Sequence, residues 1–94
     1  MRYLIAYDIR DDDIRRDVAE LLKDSGAVRI QYSAFEIECS PTLIEDLFNA
    51  LRRMIGDEGK LIVIPICEKD QKRRVSMIVG AYRAERERMK EVIF

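Results

Sequence analysis

Residues 28–39 read VRIQYSAFEIEC, and the order of elements follows from how this stretch divides. Phe35, Ile37 and Cys39 alternate with Ala34, Glu36 and Glu38, a period of two that predicts a strand with one wet face. The Tyr32-Ser33 region breaks the run into two pieces, as a turn or a bulge. The centre of the chain therefore carries two consecutive strands.

Working outward, each of these strands is flanked by a helix and then by a further strand. Residues 2–7 (RYLIAY) put Leu4 and Ala6 on one face and Tyr3, Ile5 and Tyr7 on the other. Both faces are apolar, which predicts a central strand. Asp11, Asp12 and Asp13 supply an N-cap and negative charge for a first helical turn. Ile14, Val18, Leu21 and Leu22 then form one helical stripe, stopped by Gly26. On the other side, Ser40-Pro41 is a capping hydroxyl followed by a proline suited to the first helical position. Leu43, Ile44, Leu47, Phe48, Leu51, Met54 and Ile55 make a wide apolar face closed by Gly56. Residues 61–66 (LIVIPI) predict a buried strand, with Pro65 at an edge or at the strand's end.

The order β-α-β-β-α-β over residues 1–66 predicts an α+β, ferredoxin-like sandwich of two helices on one face of an antiparallel sheet. Residues 67–94 form a C-terminal extension of the same domain. There Val75, Met77 and Val79 alternate with Arg74, Ser76 and Ile78, predicting a fifth strand. A charged segment, RAERERMKE, follows Tyr82 as a helix or solvated tail, before the apolar terminus Val92-Ile93-Phe94. The second apolar face of the first strand calls for a cover, so a partner is expected.

Composition narrows the chemistry. The 94 residues suffice for one domain, and they carry 17 Lys+Arg against 18 Asp+Glu, a net charge of −1 that argues against a generally basic nucleic-acid binder. The charge is uneven: residues 1–51 hold six basic and eleven acidic side chains, residues 52–94 eleven and seven, giving halves of −5 and +4. There is no His, which excludes a Ser-His-Asp triad, a Cys-His pair and His-containing zinc sites. Cys39 and Cys67 lack CxxC spacing and read as buried, reduced thiols of a cytoplasmic protein, a disulfide between them being the alternative. The N-terminus has no signal-peptide pattern, and no apolar run reaches the roughly 20 residues of a membrane span.

Asp8 directly follows Tyr7 at the end of the apolar strand. It is read either as an ordinary strand-end carboxylate bonding its own loop or as a divalent-metal ligand, since Mg²⁺ prefers one or two carboxylates completed by water and phosphate. One Asp is a poor site; two Asp8 side chains brought together by a two-fold dimer make a credible one. Asp11–Asp13 cap a helix rather than bind a metal. Arg15 and Arg16 oppose the dipole of that helix's first turn, which points to phosphate contact, a solvated face being the alternative for Arg16. Arg29, inside a strand, has an ordinary use as a cross-strand partner of Glu36 or Glu38. Lys72-Arg73-Arg74 reads as a solubilising turn or as a nucleic-acid patch.

Taken together, YLIAYDI, DDDIRRDVAELLKDSG, RIQYSAFEIECSP and LIVIPICEK resemble, in order and spacing over about residues 1–80, the small CRISPR-associated adaptation proteins of the Cas-two family. The resemblance implies a ferredoxin-like homodimer whose C-terminal strand extends the partner's sheet. It implies a Mg²⁺-dependent phosphodiesterase acting on RNA or DNA, with Asp8 of both subunits around the metal. It also implies a place in acquiring CRISPR spacers, bound to the CRISPR integrase. Carried over by position, Tyr7 and Asp8 match the strand-end pair, Arg15 the basic residue of the first helix, and Arg29 and Phe35 the two ends of the Q-Y-S segment. Asp17 stands where many relatives have a second Arg. Metal-assisted chemistry needs no imidazole base; Arg15 and Arg29 would neutralise phosphate charge, and Phe35 would stack on a base or pack. The competing expectation is a non-catalytic dimeric scaffold that spaces integrase subunits on DNA.

Overall fold

Strand β1 (Arg2–Ile9) is hydrogen-bonded along both edges, antiparallel to β3 (Ala34–Glu38) on one side and to β4 (Gly59–Ile66) on the other. With β2 (Val28–Gln31) beyond β3, the sheet order is β2-β3-β1-β4. This computed structural model describes residues 1–76. Helices α1 (Asp12–Asp24) and α2 (Pro41–Ile55) lie on one face of the sheet, and a short helix, α3 (Glu68–Arg73), follows β4. The expected ferredoxin-like α+β arrangement is present.

Both long helices start where their caps dictate. An Asp11 carboxylate oxygen accepts from the Ile14 N–H at 2.9 Å, and Ser40 Oγ accepts from the Leu43 N–H at 3.1 Å, ahead of Pro41 in the first turn. Helix α1 ends at Ser25, and Gly26 takes a φ of +93°, a conformation that costs a side-chain-bearing residue energy. The core lies between helices and sheet. Tyr3, Ile5, Tyr7 and Ile9 of β1 meet Phe35 and Ile37 of β3, Val18, Ala19 and Leu22 of α1, and Ile44, Leu47, Leu51 and Ile55 of α2. Burying each large aliphatic side chain stabilises the fold by roughly 1.5–3 kcal/mol.

Directly opposed residues on neighbouring strands share a face, so the register defines the helix-free side. Leu4 lies between Glu36 and Ile64, Ala6 between Ala34 and Ile62, and Asp8 opposite Lys60. Here the structure corrects three expectations. First, residues 61–66 are not a buried strand: β4 is an edge strand among the described residues, and Ile62 and Ile64 are 55% and 46% exposed. Pro65 is tolerated there because an edge has one free side. Second, β3 does not have a wholly wet face. Glu36 is 1% exposed and ion-paired with Arg74, which follows α3. Third, β1 runs to Ile9, so Asp8 sits within the strand rather than at its end.

The extension begins differently from the expected turn and strand. Glu68–Arg73 is helical, capped by Cys67, whose Sγ accepts from the Asp70 N–H at 3.4 Å. Lys72 and Arg73 therefore belong to a helix; Lys72 pairs with Glu68 at 3.5 Å, and Arg74 is held by Glu36. Arg74–Ser76 has no strand structure, and the rest of the expected fifth strand, from Met77, lies outside the described residues, as does the tail. Cys39 and Cys67 are free thiols, as expected, but Cys67 is exposed rather than buried because it caps α3 at the surface; burial pushes the half-buried Cys39 thiol pKa above its ordinary value.

The tightest backbone approach is at the start of β4. A Cβ on Gly59 would stand 2.6 Å from the Asp8 carbonyl oxygen and 3.0 Å from Ile55 Cγ2. Backbone cannot yield as a flexible side chain would, so Gly59→Ala is expected to lower stability by about 1–3 kcal/mol. The check is a lower urea midpoint at unchanged slope; an unchanged midpoint would mean that β4 shifts freely.

Candidate functional site

The end of β1 sends alternate side chains to opposite faces of the sheet. Tyr7 and Ile9 enter the core, and Asp8 between them is exposed on the helix-free face. There it borders a shallow 280 Å³ groove with Arg10, Asp57, Glu58, Gly59 and Lys60. Lys60 comes by register, being the residue directly opposite Asp8 on β4.

On the helix side, the other four sequence-derived residues form one chain of contacts. The Tyr7 ring stacks on Phe35, with centroids 6.2 Å apart and planes 21° from parallel. The Arg29 guanidinium lies 5.0 Å from the Phe35 centroid and 5.8 Å from that of Tyr32. The Arg15 guanidinium is 5.5 Å from the same Tyr32 centroid. Arg15 Nη1 donates to the Ile9 carbonyl at 3.0 Å, and its Nη2 pairs with Asp12. The path thus leaves β1 at Tyr7 and returns at Ile9, the two neighbours of Asp8. Aromatic stacking and cation–π attraction each contribute about 0.5–1.5 kcal/mol in such pairs.

Two members are buried and two are accessible. Phe35 and Tyr7 are core residues, so Phe35 packs rather than offering a face to a ligand. Arg15 and Arg29 border a 290 Å³ groove with Tyr32. Asp8 does not share that groove; within one chain the structure places it on the other side of the sheet.

The arginines differ in how far their charge is already matched. Arg15 is paired with Asp12, which raises its pKa above the ordinary guanidinium value, with Tyr32 adding in the same direction. Arg16 is bracketed by Asp13 at 3.3 Å and Asp17 at 3.4 Å, so Asp17 neutralises a neighbouring cation. The expected ordinary use of Arg29, a pair with Glu36 or Glu38, is not made. Glu36 is held by Arg74, and Glu38 is taken by the N-terminal amine and Arg2. Arg29 has no carboxylate partner among the described residues, and its Nε is buried without an acceptor.

Tyr32 is the residue the sequence reading missed as a site member. It was visible only as a break between two strands. The available signal was an aromatic in a turn, three residues from Arg29 in sequence, with Arg15 supplied by the fold.

Comparison with known proteins adds identity to this geometry. The sequence profile of the family described as CRISPR associated protein Cas2 matches residues 1–74. A relative from Desulforudis audaxviator named CRISPR-associated endoribonuclease Cas2 is 42% identical over 82 residues, covering 86% of this chain and 77% of that one. A Thermoproteus tenax relative, named as a fusion of CRISPR-associated endonuclease Cas1 and endonuclease Cas2, is 36% identical over 64 residues, 68% of this chain and 24% of that one. The crystal structure of Streptococcus pyogenes Cas2 at pH 6.5 is similar at a TM-score of 0.69 and 26% identity, covering 84% of this chain and all of that one.

The Tyr7 hydroxyl is buried with no hydrogen-bond partner among the described residues. An unsatisfied buried polar group costs about 1–3 kcal/mol. Tyr7→Phe, which keeps the stack on Phe35, is therefore expected to leave stability unchanged or raise it by about 1 kcal/mol. Chemical denaturation measures this, and a clear loss would show that the hydroxyl has a partner in solution.

Proposed function

The chain belongs to the CRISPR-associated Cas2 family, and from that premise we propose that it is a metal-dependent endonuclease working in the cytoplasm on RNA or DNA during spacer acquisition. The observation that carries this reading is that the chain presents an exposed carboxylate, Asp8, on the helix-free face and, in the separate helix-side groove, Arg29, a cation without a carboxylate partner among the described residues. A phosphodiester is an anion that such a guanidinium suits. Arg15 is the second phosphate contact, reached by exchanging the exposed Asp12 for the ligand. The names of the Desulforudis and Thermoproteus relatives, endoribonuclease and endonuclease, support the activity class.

Asp8 fits one part of a Mg²⁺ site. Its carboxylate is a hard oxygen donor, exposed and in no ion pair among the described residues. Those residues contain no group of three or more acidic, Cys or His side chains placed to hold a metal, so one chain does not complete the site. We assign the second carboxylate to Asp8 of the partner subunit in a homodimer. Bound there, Mg²⁺ would polarise a phosphoryl oxygen and lower the pKa of its bound water. What this chain's own residues supply is positioning: Tyr7 and Phe35 fix the end of β1 from below, and Arg29 and Arg15 would hold nucleic-acid phosphate in the separate helix-side groove.

The homodimer also covers apolar surface. Leu4, Ile62 and Ile64 share the helix-free face, and the two isoleucines are exposed in the single chain. The second partner is the CRISPR integrase, consistent with a relative whose name joins Cas1 and Cas2 in one polypeptide. The alternative, a non-catalytic scaffold holding integrase subunits on DNA, is favoured by the ion-paired state of Arg15 and Arg16, which leaves α1 little free positive charge.

The deciding experiment is cleavage of labelled RNA and duplex DNA with Mg²⁺ or EDTA. Asp8→Asn is expected to abolish metal-dependent cleavage while leaving the dimer folded, because it removes a ligand and a like-charge repulsion together. Arg29→Ala should raise the barrier by about 2–4 kcal/mol. A wild-type chain without metal-dependent cleavage, with Asp8→Asn still supporting integration, decides for the scaffold. Separately, Ile64→Asp is expected to shift the dimer to monomer in sedimentation; an unchanged dimer would place the interface elsewhere.

A further inference from the structure

We propose that Lys60 is the cation that holds the scissile phosphate on the Asp8 side of the sheet. Its ammonium contacts a non-bridging phosphoryl oxygen and stabilises the negative charge that gathers on the phosphate and its leaving oxygen during cleavage. The inference rests on the reading of Asp8 as the metal ligand of a nuclease, and it adds to that reading the chain's own phosphate contact at the same site.

Three observations carry it. Within one chain Arg15 and Arg29 lie across the sheet from Asp8; among the described residues the cations that border the Asp8 groove are Arg10 and Lys60. Lys60 is directly opposite Asp8 in the antiparallel β1–β4 pair, a register that sets both side chains on the helix-free face with Cβ atoms about 5 Å apart. The ordinary use of such a pair is a cross-strand ion pair, and it is not made: both residues are exposed, and neither has an ion-pair partner among the described residues. Finally, the groove sets Asp8, Asp57 and Glu58 against Arg10 and Lys60, three negative charges against two. A phosphodiester is repelled there unless a cation stands at the point of contact.

Of the two cations, Lys60 is the one whose place the backbone fixes. Arg10 follows the last residue of β1, outside the ladder, whereas Lys60 lies within β4 and pairs with Asp8 itself. Gly59 lets the two strands close beside it. The turn before Gly59 is tied to α2, the Gly56 N–H donating to the Arg52 carbonyl at 2.9 Å and the Glu58 N–H to the Ile55 carbonyl at 3.3 Å. The root of the side chain is thus held while its flexible four-carbon stem leaves the ammonium free to turn toward a ligand. Lys60 keeps its protons throughout, so its role is electrostatic and no proton transfer is asked of it. The same positive charge opposes the binding of a divalent cation to Asp8. Losing it therefore has opposite effects on the two ligands: the metal is held more tightly and the phosphate less well.

The test uses the full chain with two probes, Mg²⁺ alone and labelled RNA or duplex DNA. Lys60→Gln is expected to slow metal-dependent cleavage by about 10- to 100-fold, as loss of a charge-stabilising group does. Without nucleic acid, calorimetry at low salt should show the same variant binding Mg²⁺ about fivefold more tightly, because a cation beside the carboxylate is gone. Lys60→Arg should keep most of the wild-type rate, and Arg10→Gln should cost little. Because Lys60 is exposed, the urea midpoints of its variants should match the wild type, which separates loss of the contact from loss of fold. If Lys60→Gln cleaves as the wild type does while Asp8→Asn does not cleave, the proposal is overturned and the nuclease reading survives. A larger loss in Arg10→Gln than in Lys60→Gln gives the contact to Arg10 and overturns it too. So does slower cleavage by Lys60→Gln at unchanged Mg²⁺ affinity, which places Lys60 away from the metal. A wild-type chain without metal-dependent cleavage overturns both readings.

Discussion

The structure depends on β1 being paired along both edges while its side chains alternate with a period of two. Pairing fixes the strand; alternation then commits Tyr3, Ile5, Tyr7 and Ile9 to the helices and Leu4, Ala6 and Asp8 to the opposite face. A slip of one residue would put Asp8 into the core and expose the two tyrosines, so the core enforces the register. Asp8 is thus presented to solvent by the apolar residues on either side of it. Gly59 reinforces this from β4, where the lack of a side chain lets the two backbones close.

Around that strand end, the fold assembles from distant segments a set that no local stretch contains. Arg15 comes from the first turns of α1, Tyr32 from the turn, Arg29 from β2 and Phe35 from β3, and in that order each touches the next. The disposition of carboxylates decides which cations remain available. Glu36 and Glu38 are committed to Arg74, Arg2 and the N-terminus, and Asp13 and Asp17 to Arg16. Arg29 is left over. A nearly neutral chain can in this way hold a local surplus of positive charge without an overall basic composition.

Much of the fold was legible because it rests on local patterns. The caps at Asp11 and Ser40, the break at Tyr32-Ser33 and the stripes of α1 and α2 are all read within a few residues. What failed to show depends on contacts across the chain. The alternation in β3 reads Glu36 as wet, because its partner Arg74 lies far along the sequence. Ile62 and Ile64 read as buried, because an apolar run does not say whether its strand lies at an edge. Four of the five candidate residues do share one network, but their sequence positions could not show that Asp8 faces away from it. Nor could they show that Tyr32 links its arginines.

The Glu36–Arg74 pair has a thermal consequence. Hydration of charged groups becomes less favourable as temperature rises, so the cost of keeping this pair from water falls on warming while its attraction persists. Apolar contacts elsewhere in the core gain little by comparison. The anchorage of α3 to the sheet therefore strengthens relative to the rest of the molecule as it is heated. The exposed Lys72–Glu68 pair, which gives up little hydration, has no such reserve.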